Sequence, residues 1–330
     1  MERLGIGFTG LQPREVVECV QLAEQLGYES AWMAEGHGGD QFSILTACAV
    51  ATKKILLGTS ISSVFVRSAP TIAMAAACVD EFSDGRFILG LGSSHKVQVE
   101  GEHGLPYGQP IPRIKECVEI VRALLKDGEV AYSGSIFNLK GFDMWFRPRR
   151  NEIPIYIGAV NPKMLRLCGE IAQGVLLTWC TVEHAEAAVQ NIVLGAEAVG
   201  RDRKAIDVAT SVGCIVSTDK EDALNKMRRP VATYIARFPR YRRLMVEAGF
   251  AEEVEAVRQA WNGGDQERAL QMVPTDLIEK IALAGTPEEC RRRISEYRKA
   301  GIDLPIITPR VFGPNVKEEV IDMIRACAPM

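Results

Sequence analysis

Short, almost continuously apolar runs alternate along this chain with longer segments of helical spacing. The runs at 4–8, 30–34, 55–58 and 86–89 each lead into such a segment, and the pattern resumes at 153–157, 174–177, 208–215 and 304–308. A short strand that is apolar on both sides expects cover on both faces, which favours a parallel sheet. The first helix carries its own boundary signals. Pro13 opens it, Val16, Val17, Val20, Ala23 and Leu26 recur along it, and Gly27 ends it. Further helices are expected at 43–51 and 71–82, with an amphipathic one at 316–327 closing the outer ring. Eight strands with helices between them match an α/β fold of the closed (β/α)8 barrel type better than an open doubly wound sheet.

Two segments are too long to be simple connections. Residues 128–150 hold a Tyr/Phe-rich stretch with turn glycines, expected as a small hairpin before the fifth strand. Residues 231–277 contain helix-like runs around 251–261 and 266–272, expected as a helical insertion before the last strand. No Pro/Ser-rich linker marks the insertion's ends, so residues 1–330 are expected to form one domain.

Composition narrows the function classes. The 330 residues are 47% hydrophobic and 25% charged, enough for a sizeable core and ordinary for a globular chain. A net charge of −3 gives no electrostatic reason to expect a nucleic-acid partner, and the basic clusters Arg147-Pro-Arg-Arg150 and Arg240-Tyr-Arg-Arg243 read as solvated surface. No apolar stretch is long enough to span a bilayer, so no membrane partner is expected. The nine cysteines are scattered singly, which argues for a reduced compartment, and no leader-like segment precedes residue 4. A cytoplasmic location is the expectation.

A barrel of this kind keeps its chemistry on the loops leaving the C-terminal ends of its strands. Glu35 and His37 follow the second strand, and His95 and His103 fall in the next such stretch beyond the fourth. Imidazoles there suit proton transfer or hydrogen bonding to a polarised atom, and the competing role is to cap loops. His184 lies in a polar helical stretch and reads as surface. No HxH or HExxH spacing appears, so no metal is expected. Gly90-Leu-Gly-Ser-Ser94 offers either tight turning or close backbone approach to a ligand, and it is not a dinucleotide fingerprint, which belongs after the first strand. Gly158-Ala-Val-Asn161, followed by Pro162, can present helix N–H groups to a phosphate or cap the helix structurally. Trp179 is positioned to wall a ring system or to pack at the rim.

Several ordered motifs carry a resemblance. They are Gly27-Tyr-Glu-Ser-Ala-Trp-Met-Ala-Glu35, Ile55-Leu-Leu-Gly-Thr59, Arg67-Ser-Ala-Pro70, Asp80-Glu-Phe-Ser-Asp-Gly-Arg-Phe87, Gly90-Leu-Gly92, Ile155-Tyr-Ile-Gly-Ala159, Gly169-Glu-Ile-Ala-Gln-Gly174 and Gly285-Thr-Pro-Glu-Glu289. In these the sequence resembles the bacterial-luciferase-like superfamily over essentially its whole length. Within it the nearest likeness is to the deazaflavin F420-dependent branch that includes methylenetetrahydromethanopterin reductase. The resemblance implies a TIM barrel binding F420 or FMN at its C-terminal face, with Glu35 and His37 near the reactive ring as the catalytic residues, His37 donating a hydrogen bond or proton and Glu35 orienting it or acting as the acid/base itself. It implies a non-prolyl cis peptide in the loop after the third strand, at Ser63-Val64, preceded by Thr59, Ser60 and Ser62. It further implies that Gly92, Ser93, Gly158 and Ala159 meet the ribityl chain or phosphate, and that His95 and Lys96 meet substrate or the cofactor's acidic tail.

Departures from the branch bear on substrate. Glu35-Gly36-His37 stands where the branch places Asp directly before His, Gly7 stands where the pterin reductases carry a glutamate, and Ser94-His95-Lys96 replaces a Gly/Asp-rich loop. The resemblance therefore implies F420-dependent hydride transfer at deazaflavin C5 to or from a small organic redox substrate other than the pterin. Two alternatives are an FMN-dependent monooxygenase using oxygen and a non-catalytic flavin-binding homologue. The resemblance also implies a homodimer.

Overall fold

The computed structural model describes residues 2–329. Eight parallel strands close into a barrel: Gly5–Phe8, Ser30–Met33, Leu56–Thr59, Phe87–Gly92, Ile155–Gly158, Gly174–Thr178, Asp207–Val216 and Leu304–Pro309. The eighth strand closes the ring, pairing with the first through Gly5 and Ile306 and with the seventh through Ala209 and Leu304. Trp32, Ile88, Tyr156, Leu176, Ala209, Leu304 and Ile306 fill the barrel's interior. A larger apolar layer lies between strands and helices, where the first helix, Pro13–Gln25, turns Val16, Cys19, Val20 and Ala23 inward.

Helix starts follow local chemistry. Asp40 caps Gln41–Ala51 by accepting from the Ser43 N–H at 2.8 Å, and Ser68 caps Ala69–Phe82, with Pro70 in the first turn. The hairpin expected at 128–150 is present as strands Glu129–Ser133 and Asn138–Asp143. The long helix before it, Pro110–Asp127, carries Glu116, whose carboxylate accepts from the N–H groups of Ser135, Ile136 and Phe137 and so anchors the hairpin turn.

Two expectations are corrected. The fourth strand does not stop at residue 89; it continues through Gly90 and Gly92. The glycines there serve close strand approach rather than a turn. A Cβ on Gly90 would lie 1.8 Å from the Thr59 carbonyl oxygen, and one on Gly92 would lie 2.5 Å from the Ile61 side chain. The helical segment before the last strand also starts earlier than residue 231, because helix Lys220–Arg237 runs continuously through Pro230. It is followed by helices Pro239–Glu247, Ala251–Asn262, Gln266–Gln271 and Thr275–Ile281, then by a short strand, Ala282–Gly285, parallel to the seventh. These helices share their own apolar cluster, which also takes in Trp179 and Ile215 at the barrel edge. Among the described residues no helix is long and apolar enough to cross a membrane.

Candidate active site

The strand ends surround an open cavity at the C-terminal face, with about 1150 Å³ of empty space counting its mouth. Its two halves differ in construction. One is made by the ends of the second to fifth strands: Glu35, Ser60, Ile61, Gly92, Ser93, Gly158 and Ala159. The other is made by Gly7, Ser211, Thr308 and Arg310 from the first, seventh and eighth strands, walled by Tyr234, Phe238, Arg240 and Tyr241 from the inserted helices.

The first half is organised around the loop after the third strand. The cis peptide lies at Ser60–Ile61, not at Ser63-Val64. Ser62 and Ser63 instead pair in register with Leu91 and Gly92, and the Val64 N–H donates to the Gly92 carbonyl at 3.1 Å. Those ladder contacts require ordinary extended geometry, which moves the irregular bond upstream. The Ile61 side chain then stands between Gly92 and Gly158, in space that a Cβ on either residue would contest.

Glu35 is held on both sides. The Ser63 N–H donates to Oε2 at 2.6 Å, and the Arg67 guanidinium, itself paired with Asp40, holds Oε1. It therefore acts as a brace for the loop after the third strand. Thr59 is fully buried, its hydroxyl engaged with both the N–H and the carbonyl of Gly90 at 2.8 Å. Thr59, Ser63 and Val64 thus lie behind the wall that Ser60 and Ile61 present to the cavity.

The structure separates the two principal histidines. His37 is largely exposed and lies in a neighbouring groove, where its Nε2 sits 3.1 Å from Glu102 Oε2; that groove also contains His103 and shares Glu35, Ser94 and Gln98 with the main cavity. His95 lines the main cavity, its ring 4.5 Å from that of Phe238 and 4.9 Å from that of Tyr241. Burial, reinforced by the Arg240 charge, lowers its pKa to about 4. Lys96 points away and pairs with Glu100. His184 is half-buried rather than on the surface.

Trp179 does not line the cavity. It is buried one layer behind, with its ring 4.2 Å from that of Tyr234 and the Arg310 guanidinium 5.4 Å above it. The 240–243 cluster also differs from expectation. Arg240 turns inward and donates to the Ser93 hydroxyl, the Ser94 carbonyl and the Tyr107 hydroxyl at 3.0–3.3 Å, while Arg243 donates to the Asn161 side chain. The insertion's aromatic and arginine residues were missed because nothing in a helical spacing pattern marks which turn overhangs a barrel mouth.

Glu35 is the only carboxylate on the cavity wall among the described residues, and Arg67 neutralises it. Arg240 and Arg310 face no carboxylate there. Glycine-lined on one half and cationic on the other, the cavity is that of a barrel enzyme suited to a ligand with an anionic part. The chain belongs to the luciferase-like monooxygenase family, whose model matches residues 4–304. It is 33% identical to the 5,10-methylenetetrahydromethanopterin reductase of Archaeoglobus fulgidus, over 96% of each chain, and 31% identical to that of Methanolobus tindarius, over 97% of each. Among solved structures it is similar to the coenzyme F420 dependent tetrahydromethanopterin reductase of Methanopyrus kandleri. That likeness has a TM-score of 0.88 and 28% identity, and covers 99% of this chain and 98% of that one.

Proposed function

We propose that this protein is a coenzyme F420-dependent oxidoreductase that catalyses hydride transfer between deazaflavin C5 and an organic substrate. The observation that carries this is the Ile61 bulge framed by Gly92 and Gly158, in a chain alike from end to end to F420-linked reductases. The cavity fits the group: Gly92 and Gly158 leave room for the Ile61 side chain to form the wall, and the unneutralised Arg240 suits an acidic tail. When bound, F420 supplies a two-electron hydride donor or acceptor, and in the reducing direction one proton completes the product.

The chain's own residues bind, orient and exclude water. Ser60, Ile61, Gly92, Ser93, Gly158 and Ala159 form the cofactor wall, with Thr59, Ser63 and Val64 as the layer that fixes it, while Trp179 backs Tyr234 on the opposite half. Glu35 and Arg67 set the loop that carries Ile61. His95, kept neutral by its surroundings, is the imidazole placed to hydrogen-bond at the cavity. His37 reaches the reaction only from the adjoining groove. The insertion belongs to the same single domain as the barrel, because it supplies Tyr234, Phe238, Arg240 and Tyr241 to the shared cavity.

The protein acts as a homodimer through helices Gln41–Ala51 and Ala69–Phe82. The first has no charged residue, and Ala47, Val50, Cys78 and Phe82 leave apolar side chains exposed with Glu81 the one exposed charge, unlike the Arg/Glu-rich face of helix Pro287–Lys299.

Hydrogen exchange followed by mass spectrometry tests the site. Saturating F420 is expected to protect 59–64, 91–95 and 158–162. Protection by FMN and not by F420 would replace the deazaflavin assignment with flavin chemistry.

A further inference from the structure

The cavity half opposite Ile61 has a charge that nothing in the fold balances. Arg310 follows the eighth strand, and its guanidinium lies 5.4 Å from the Trp179 ring and 5.5 Å from the Tyr234 ring. Among the described residues its side chain makes no hydrogen bond or ion pair, and its Nε is buried without a partner. The other arginines near the site are satisfied: Arg67 by two carboxylates, and Arg240 by two hydroxyls and a carbonyl on the cofactor side. A buried N–H without a partner is unfavourable, so a guanidinium left open in a cavity points to a ligand that completes it. Its planar fork matches a carboxylate or phosphate through two parallel hydrogen bonds.

The surroundings define the rest of that ligand. At the floor, the hydroxyls of Ser211 and Thr308 are 2.8 Å apart, and Thr308 Oγ1 occupies the place beside Gly7 where a side chain would project. No acidic group faces this half, so a cationic ligand gains nothing there. Tyr234 and Phe238, with ring centroids 4.9 Å apart and planes tilted by 45°, supply an angled aromatic wall beside the guanidinium.

We infer that Arg310 anchors the hydride-exchanging substrate, and that this substrate is an organic anion whose apolar part packs against Tyr234 and Phe238. Naming it the redox substrate rests on the F420 assignment; the anion site itself does not.

Calorimetric titrations separate the two claims. Wild type, R310Q and R310K are titrated with benzoate, phenyl phosphate and the neutral control benzyl alcohol, and separately with F420. Wild type is expected to bind one of the anions at least tenfold more tightly than benzyl alcohol; whichever anion wins identifies carboxylate or phosphate as the anchored group. R310Q is expected to lose that preference, R310K to retain part of it, and both to bind F420 within threefold of wild type. Equal or absent binding of the three probes to wild type overturns the inference, as does an unchanged preference in R310Q. Loss of F420 binding in R310Q also overturns it, by assigning the arginine to the cofactor. Anion binding by a wild type that ignores F420 upholds the anion site and removes the redox assignment instead.

Discussion

At the scale of single residues, His95 and Gly7 are the most sharply constrained. The folded pKa of His95, about 4, is below the ordinary value of about 6.5, so the folded state resists its protonation. Its contribution to stability is therefore fully present above about pH 6.5 and is lost as pH falls towards about 4. Melting temperatures of wild type and H95Q across pH 4–7 check this: wild type should lose more stability on acidification than the variant does. Gly7 faces the opposite kind of constraint. A Cβ there would lie 2.7 Å from Thr308 Oγ1, forcing apart the Ser211–Thr308 hydroxyl pair. G7A is expected to cost about 1–3 kcal/mol in denaturant unfolding, the usual cost of overpacking a filled site.

At the scale of elements, the loop at 60–64 and the fourth strand act as one unit. G90A would drive a Cβ into the Thr59 carbonyl, a backbone atom that cannot swing away. We expect it to destabilise more than any wall substitution and to yield little folded protein, measured as soluble expression and circular dichroism. This unit also shows what the sequence disclosed. The strand-then-helix alternation gave the eight barrel strands because parallel strands covered on both faces leave a continuous apolar signature. It did not show that Gly90 and Gly92 lie inside a strand, since a glycine needed for close approach looks the same as one needed for a turn. Glu35, Ser93, Gly158 and Ala159 were legible as strand-end residues, whereas Arg240 and Arg310 were not. Arg240's inward direction depends on how the helices at 220–247 fold over the barrel mouth, which no local pattern encodes, and Arg310, though it follows the eighth strand, stands in no motif that singles it out.

At the scale of the whole molecule, the proposed dimer face lies on helices Gln41–Ala51 and Ala69–Phe82, and the cavity lies at the C-terminal end of the barrel. Light scattering of V50E and F82E should show a shift from dimer to monomer if this helix pair forms the interface. The central claim is that the cavity beside Ile61 takes a deazaflavin rather than a flavin. An anaerobic binding titration of the purified apo-protein with F420 and, in parallel, with FMN tests it most directly. A deazaflavin site should show saturable binding of F420 at one site per chain and no saturable binding of FMN. Saturable FMN binding without F420 binding, or binding of neither, would contradict it.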